Sequence, residues 1–265
     1  MDCRPTDIPP DPLQALARLR RLPRPVLGQA LSLPNQAIDR PHRHPWIQLS
    51  YAECGVITVD TAGARYLAPP SRAVWIPPGL THAVQIAPGT RIRSLYIEAD
   101  ALPARACQVV EISPLLRELI LAFGGLAVEY DETGAEGRLV RVLLDQLAGA
   151  SACDLVLPWP RDPRLQPLCR QLAAQPDCPL PLGHFSARLG LGEKTLSRAF
   201  LADTGMSFRQ WRQRCRLLAA LPLLERGERI TDVALACGYD SLSAFIAAFR
   251  AWLGHTPGEH VRARR

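Results

Sequence analysis

The chain has 265 residues, 48% of them hydrophobic and 21% charged, and carries a formal net charge of +6. Most single domains need fewer residues than this, so we expect two domains with ordinary hydrophobic cores. The start of the chain is polar and no apolar run reaches the roughly 20 residues that cross a bilayer, so we expect neither secretion nor membrane insertion but a cytoplasmic protein.

The first part of the chain predicts a β-barrel. A Pro-rich arm covers residues 1–25, and residues 26–100 then alternate apolar and polar side chains between repeated Pro and Gly breaks. The spacing of these breaks is typical of an all-β barrel or sandwich. The strand-like runs are Trp46–Glu53, Val56–Asp60, Ala64–Leu67, Ala73–Ile76, Ala83–Ile86 and Ile92–Ile97.

The hydrophobic period changes after the barrel. Within residues 101–149, Ser113–Phe123 and Glu136–Leu147 carry apolar side chains at helical spacing, which predicts a helix pair packed on the barrel. Residues 150–163 are punctuated by proline, and we assign them to an interdomain linker. Residues 164–265 predict an all-α domain, so the fold class is α+β with more than one domain.

The charge is distributed unevenly between the two halves. Residues 1–160 carry 15 arginines and 16 acidic residues, a net charge of −1. Residues 161–265 carry 16 basic and 9 acidic residues, a net charge of +7. A basic domain beside a neutral one is the electrostatic pattern expected when one half of a protein binds a polyanion.

The basic domain contains an internal repeat. The pattern Leu196-x3-Phe200-x4-Gly205 recurs as Phe245-x3-Phe249-x4-Gly254, displaced by 49 residues. Each copy is preceded by a small residue that stands four positions before a glycine. A short helix, a glycine-containing turn and a second helix are the elements of a helix-turn-helix motif. A helical repeat without a nucleic acid partner is the alternative, and the charge asymmetry counts against it.

Residues 180–262 resemble the double helix-turn-helix domain of AraC/XylS-type bacterial transcription regulators. The stretches that carry the resemblance are Lys194–Phe200, Thr204–Phe208, Ile230–Tyr239, Ser243–Arg250 and Leu253–Pro257. The resemblance implies that two recognition helices enter successive major-groove segments of duplex DNA, about 34 Å apart.

The resemblance also assigns candidate DNA-binding residues. It places the first reading helix at 193–201 and the second at 242–251, and we expect Arg198 to make a bidentate contact to a guanine through two guanidinium N–H groups. Ile246 and Ala247 replace the polar residues of the first helix and cannot hydrogen-bond a base edge, so we expect the first helix to carry most of the sequence readout. The candidates are Lys194, Thr195, Ser197, Arg198, Leu242, Ser243, Ile246 and Arg250.

The barrel contains a candidate metal site. His42-x-His44-x3-Gln48 followed by Pro77-x-Gly79-x2-His82 resembles the two sequence motifs of cupin barrels. Alternate strand residues point to the same side, so the histidines are expected to project together, and three imidazoles suit a divalent transition metal such as iron, nickel, copper or zinc. Gln48 replaces the glutamate ligand usual in cupins. The alternative is that the histidines are structural or line a pocket without metal.

The mouth of the barrel is the expected ligand pocket, with Trp46, Tyr51 and Trp75 as candidate lining residues. The stretch from His42 to His82 resembles the sensor domains of AraC-type regulators. This similarity implies that the barrel senses a small molecule or a metal, without identifying the effector.

These observations predict a one-component transcription regulator rather than an enzyme. Its expected partners are duplex DNA, an effector and, if it is an activator, RNA polymerase. The resemblance also implies a second copy that contacts the helix pair; the alternative is that these helices only pack against the barrel. The first alternative is a metal-dependent cupin enzyme fused to a DNA-binding domain, although the carboxylate ligand is missing. The second is an architectural DNA-binding protein without sequence preference, which would bind an operator and random DNA alike.

Overall fold

The structure is a computed structural model that describes residues 12–19, 21–29 and 35–262. The first 11 residues of the predicted Pro-rich arm lie outside these ranges, and the described part of the arm contains helix α1 (Pro12–Arg18). Leu16 and Leu22 of this region are buried against Trp46 and Tyr96 of the barrel. The described part of the arm therefore belongs to the barrel's hydrophobic packing.

The N-terminal part of the described chain forms two antiparallel sheets. One sheet has the strand order β1-β7-β2-β5-β8-β9 and the other has the order β10-β4-β3-β6. All six predicted strand runs are present. The strands are β1 (Val26–Leu27), β2 (Ile47–Cys54), β3 (Ile57–Thr61), β4 (Ala64–Ala68), β5 (Arg72–Ile76), β6 (His82–Ile86), β7 (Arg91–Ile97), β8 (Gln108–Glu111), β9 (Ala152–Cys153) and β10 (Val156–Pro158).

The two faces of the larger sheet pack against different partners. Apolar side chains such as Ala52 and Ile76 lie between the sheets with Ile57 and Val84 of the smaller sheet. The opposite face is covered by helices α2 (Pro114–Gly124) and α3 (Ala135–Gly149), as the sequence predicts. Because side chains alternate along a strand, this arrangement sorts the residues of β2 into an inner set and a helix-facing set.

The segment predicted as a linker differs from that expectation. Within residues 150–163, β9 pairs with β8, and β10 pairs with β4. Leu155 and Leu157 alternate with more exposed residues and are buried. These short strands form because the edges of existing sheets supply hydrogen-bond partners, which a local reading of Pro-rich sequence does not reveal. Residues 152–158 are therefore part of the barrel.

The C-terminal part is helical, so the predicted fold class is confirmed. Gly205 and Gly254 end two of its helices with positive φ angles of 70° and 79°, which glycine adopts without strain. The helices are α4 (Gln166–Ala174), α5 (Leu182–Leu189), α6 (Glu193–Thr204), α7 (Phe208–Glu225), α8 (Ile230–Ala236), α9 (Leu242–Leu253) and α10 (Pro257–Arg262).

The two copies of the repeat have the same local geometry. Gly190, between α5 and α6, and Gly238, between α8 and α9, both have positive φ. In the second helix of each copy, the repeated apolar residues are buried, and α7 joins the copies. The repeated sequence pattern thus corresponds to a repeated arrangement of helix, tight turn and helix. Its buried residues are Leu196, Phe200, Phe245 and Phe249.

The helical part is docked directly on the barrel through β10. Nε1 of Trp211 donates to the carbonyl of Pro158 at 2.7 Å. The guanidinium of Arg214 donates to both carboxylate oxygens of Asp154, at 2.6 and 2.8 Å. Hydrophobic packing is continuous from Leu157 into the helices. The orientation of the helical part is therefore tied to the position of this edge strand.

Candidate functional site

The backbone brings three histidines together at one end of the barrel. His42 and His82 form an isolated antiparallel bridge in which each amide donates to the other's carbonyl at 2.9 Å. The amide of Gly79 donates to the carbonyl of His44 at 2.8 Å. The ligand nitrogens of His42, His44 and His82 consequently lie within 4.8 Å of one another, and all three residues are buried. The predicted histidine set is thus assembled as one cluster.

Each imidazole is oriented by a backbone carbonyl. Nδ1 of His42 lies 2.9 Å from the carbonyl of Arg40, and Nδ1 of His44 lies 3.0 Å from the carbonyl of Trp46. Nδ1 of His82 lies 2.8 Å from the carbonyl of Leu80. A carbonyl only accepts, so each Nδ1 carries the proton, and each neutral ring presents the lone pair of Nε2. In metal-binding histidines, a hydrogen bond from the other ring nitrogen to a carbonyl fixes the tautomer in the same way.

The side chain of Gln48 completes an electron-rich cluster. Its Oε1 lies 2.8 Å from Nε2 of His44 and 3.1 Å from Nε2 of His82, and its Nε2 donates to Oγ of Ser50 at 2.9 Å. The buried Nε2 of His42 has no hydrogen-bond partner within the described residues. The Nε2 atoms of the three histidines and Oε1 of Gln48 thus converge with their lone pairs, and none of the four carries a hydrogen that could be shared. A cation, an added proton or a rotated Gln48 amide is required to stabilise this arrangement.

Burial keeps the imidazoles neutral. Desolvation lowers the pKa of His42 and His44, and it lowers the pKa of His82 to about 3. The neighbouring imidazoles lower the pKa of His44 and His82 further. Neutral imidazole is the form that binds metal ions, so the cluster fits a divalent transition metal in its donor types, tautomers and protonation.

Ser50 is a site residue that the sequence reasoning missed. It is fully buried and lies two positions after Gln48 on β2, so both side chains point between the sheets. By accepting the amide hydrogen of Gln48, Ser50 orients the Gln48 oxygen toward the histidines. The period-two pattern of β2 is the signal that identifies it.

The structure does not bring the predicted aromatic residues together around the histidines. Tyr51 and Trp75 are fully buried on the helix-facing side of the larger sheet, where they pack with α2 and α3. Tyr51 is three residues from Gln48 on one strand, so the two point to opposite faces. Trp46 alone is adjacent, with its ring 5.8 Å from that of His44. The prediction that Tyr51 and Trp75 line the barrel pocket is therefore wrong.

The candidate residues on α6 form an exposed polar and basic surface. Leu196 and Phe200 hold the helix to the core from its opposite side. The salt bridges of the described residues do not include Lys194 or Arg198. The exposed residues of this surface are Lys194, Thr195, Ser197 and Arg198.

The corresponding surface of α9 is much less polar. Leu242, Ser243 and Arg250 are exposed, whereas Ile246 is half-buried. The side chain of Ser241 caps the helix by accepting from the amide of Ala244. The structure therefore presents two similarly built helices with different exposed chemistry.

A β-barrel with a buried, ligand-competent histidine cluster, joined to a basic helical part with two exposed helices, is the architecture of a DNA-binding regulatory protein with a ligand-binding domain. No helix of the described residues is long and apolar enough to cross a membrane.

Comparison with known proteins identifies the family. Residues 25–143 match the AraC-like ligand binding domain, and residues 185–263 match a helix-turn-helix domain. The chain is 36% identical over 222 residues to the HTH-type transcriptional regulator NimR of Escherichia coli, covering 83% of this chain and 81% of NimR. The chain belongs to the AraC family of DNA-binding transcription regulators, which confirms the resemblance in its sequence.

Other relatives match over smaller or more distant regions. The chain is 32% identical to the HTH-type transcriptional regulator RipA of Corynebacterium diphtheriae, over 37% of this chain and 29% of RipA. The crystal structure of unsaturated fatty acid-bound ToxT from Vibrio cholerae has 13% sequence identity and a TM-score of 0.37. That match covers 89% of this chain and 92% of ToxT.

Proposed function

We propose that this protein is a one-component regulator that binds specific duplex DNA through two helix-turn-helix motifs and is controlled by a divalent transition metal in the barrel. The observation that carries the metal assignment is the convergence of three Nε2 lone pairs and one amide oxygen in a buried cluster. Because its partner is chromosomal DNA, we assign its action to the cytoplasm. RNA polymerase would be a further partner if the protein activates transcription.

The proposed DNA contacts are divided between the two motifs. The α6 surface offers Lys194 and Arg198 together with Thr195 and Ser197, all of which can donate to bases or phosphates. The α9 surface offers Leu242, Ser243 and Ile246, with Arg250 for the phosphate backbone. We therefore propose that α6 supplies most of the base readout and that α9 mainly positions the domain.

The proposed metal ligands are His42, His44, His82 and Gln48. Three imidazoles and a neutral amide favour zinc, nickel, copper or iron over magnesium or calcium, which prefer several oxygen ligands. When bound, the ion would supply the positive charge that the four lone pairs lack. The ligands come from β2, β6 and the segment before β2. Their side chains would therefore hold these three segments to one ion.

A small organic effector without metal is the second candidate for control. Rotation of the Gln48 amide would let its nitrogen donate to His44 and His82 while its oxygen accepts from Ser50. The cluster would then be a hydrogen-bonded structural element, and the effector would bind elsewhere in the barrel. Measured metal content decides between these two proposals.

We also propose a regulatory rather than a catalytic role, and dimerisation through the helix pair. NimR and RipA are named as transcriptional regulators, which favours regulation over a cupin enzyme fused to a DNA-binding domain. Leu115 of α2 is 54% exposed and Val142 of α3 is 44% exposed. Exposed apolar side chains on two adjacent helices suit contact with a second copy.

The test combines metal analysis with DNA binding. The purified protein is stripped with a chelator, reloaded separately with Fe(II), Ni(II), Cu(II) or Zn(II), and assayed for gel shift on its own upstream intergenic DNA and on random duplex. We expect one metal to bind stoichiometrically and to change affinity for the upstream DNA. Turnover of candidate cupin substrates by the loaded protein would instead favour the enzyme alternative.

Two variants test whether the metal binds at the histidine cluster. His82→Ala should abolish stoichiometric metal binding, whereas Gln85→Ala, an exposed position on the same strand, should leave it unchanged. Metal-free protein with unaltered, effector-dependent DNA binding would refute metal control and leave the organic effector. The absence of a shift on the upstream DNA under every condition would refute the regulator proposal itself.

A further inference from the structure

A concave basic surface lies between α7 and the N-terminal half of α9, outside the surfaces already described. The cavity measures about 260 Å³. It is lined by Arg209, Arg212, Gln213, Arg216, Tyr239, Ala244 and Ala248, and we call this set the α7–α9 basin. It contains three guanidinium groups and no acidic residue, so it is a positively charged concavity.

Two of the three arginines are held in place by their surroundings. Nη1 of Arg212 donates to the carbonyl of Leu180 at 3.0 Å, and Nε of Arg216 donates to the carbonyl of Pro176 at 2.9 Å. The guanidinium of Arg212 lies 5.5 Å from the ring centroid of Phe208. That of Arg216 lies 5.9 Å from the ring centroid of Tyr239. These contacts reduce the side-chain entropy that binding a ligand would otherwise cost.

The positive charges of the basin are not neutralised by neighbouring carboxylates of the described chain. None of its three arginines forms a salt bridge with a carboxylate in the described parts of the chain, whereas Arg214 on the same helix is paired with Asp154. The buried hydroxyl of Tyr239 also has no hydrogen-bond partner among the described residues. Burial and the neighbouring Arg216 lower the pKa of Arg212, as expected for cations crowded together without an anion.

The position of the basin indicates which anion it takes. Arg209, Gln213 and Arg216 are spaced at i, i+4 and i+7, so they form one stripe along α7, the helix that joins the two motifs. Ala244 belongs both to the basin and to the exposed N-terminal turn of α9. An anion held in the basin would therefore lie beside the second reading helix, on the bridge between the two.

We propose that the α7–α9 basin binds a phosphate of the DNA backbone, in the stretch between the segments contacted by α6 and α9. Guanidinium groups match phosphate oxygens through paired hydrogen bonds. This inference rests on the proposed DNA-binding function and adds a phosphate site to it. It adds to the contact proposed for Arg250 of α9 a second anchoring charge, which comes from the adjacent helix α7.

The main test replaces Arg209, the exposed arginine of the basin. Fluorescence anisotropy with upstream and random duplexes is measured from about 50 to about 300 mM salt. Arg209→Ala should weaken binding to both duplexes by a similar factor, about tenfold, and reduce the salt slope by about one. Arg226→Ala is the control, since it removes the same charge roughly 25 Å further along the helix axis and should have a much smaller effect.

The outcomes separate this proposal from the DNA-binding proposal. If wild-type protein binds DNA and Arg209→Ala matches Arg226→Ala in affinity and salt slope, the basin proposal is overturned while DNA binding stands. Arg209→Glu, which reverses the charge, should weaken both duplexes more than Arg209→Ala; equal affinities for the two variants would also count against the basin. Circular dichroism of each variant verifies that the helices are intact.

A free phosphate or nucleotide offers the same chemistry as the DNA backbone. Inorganic phosphate is therefore titrated into the DNA complex at constant ionic strength, with chloride as the comparison. We expect phosphate and chloride to act alike. Saturable displacement of DNA by millimolar phosphate, abolished by Arg209→Ala, would instead assign the basin to a free phosphate ligand.

Discussion

Helices α6 and α9 have the same construction but different exposed chemistry. Each packs two large apolar residues against the core and ends at a glycine with positive φ. The exposed side of α6 carries Lys194 and Arg198, whereas Ile246 and Ala247 replace polar residues on α9. The fold thus sets the packing positions of the repeat, whereas its exposed positions are free to diverge with the DNA sequence that each helix meets.

The largest expected effects concern the shared packing. Phe200→Ala and Phe249→Ala each remove a fully buried ring, and each should lower the free energy of unfolding by about 3–5 kcal/mol. Urea unfolding followed by tryptophan fluorescence measures the change. Leu201→Ala, at a position that is 52% exposed, is the control and should cost less than about 1 kcal/mol. If only one of the two substitutions lowered the free energy of unfolding by this much, the two copies of the repeat would not contribute equally to stability.

Arg198→Ala tests the asymmetry of the exposed surfaces. It should cost about 1–3 kcal/mol of binding free energy on the specific upstream DNA, because a bidentate base contact is lost. Binding to random duplex should fall much less, and the preference at one base position should relax. Anisotropy with single-base variants of the site measures both effects. Equal losses on specific and random DNA would mean that Arg198 contacts phosphate instead.

The terminal glycines test the shared backbone geometry. Gly205→Ala and Gly254→Ala introduce a Cβ that meets no atom within 4 Å, so the cost is backbone strain alone. Each should destabilise by about 1–2 kcal/mol, since a left-handed conformation is costly for other residues. Gly149→Ala in α3 also meets open space but has no positive φ, and it should be neutral or slightly stabilising. Thermal melting of the three variants measures these changes. Melting temperatures of Gly205→Ala and Gly254→Ala as high as that of Gly149→Ala would contradict the prediction.

The smallest expected effect is on α9. Ser243→Ala removes an exposed hydroxyl from the helix to which we assign little base readout, so its cost on specific DNA should stay below about 0.5 kcal/mol. The same anisotropy assay provides the measurement. A loss as large as that of Arg198→Ala would show that the two helices share the readout and would overturn the proposed division between them.

Sequence periodicity was sufficient for most of the fold, and the resemblance to cupin motifs pointed to the histidine cluster. The six strand runs, the helix pair and the duplicated helices are all present, because each has a clear local period and clear breaks. Gln48 lies on β2, whereas His42 and His44 precede that strand and are positioned by the backbone bonds to His82 and Gly79.

What could not be predicted depends on long-range pairing. The direction of Trp75 is set by its register with Leu49 on β2, and no local pattern contains that register. Tyr51 is different, because its odd spacing from Gln48 already indicates the opposite face. Strands β9 and β10 are only two and three residues long and depend on the neighbouring strands for their hydrogen bonds.

The smaller sheet connects the histidine cluster physically with the docked helices. His82 lies on β6 at one edge of this sheet, and Trp211 and Arg214 donate to the carbonyls of Pro158 and Val156 on β10 at the other edge. Three strand spacings separate these edges, roughly 14 Å. The hydrogen-bonded sheet joins these edges through β3 and β4. A change in its twist at the histidines would tilt the docked helices without requiring a hinge.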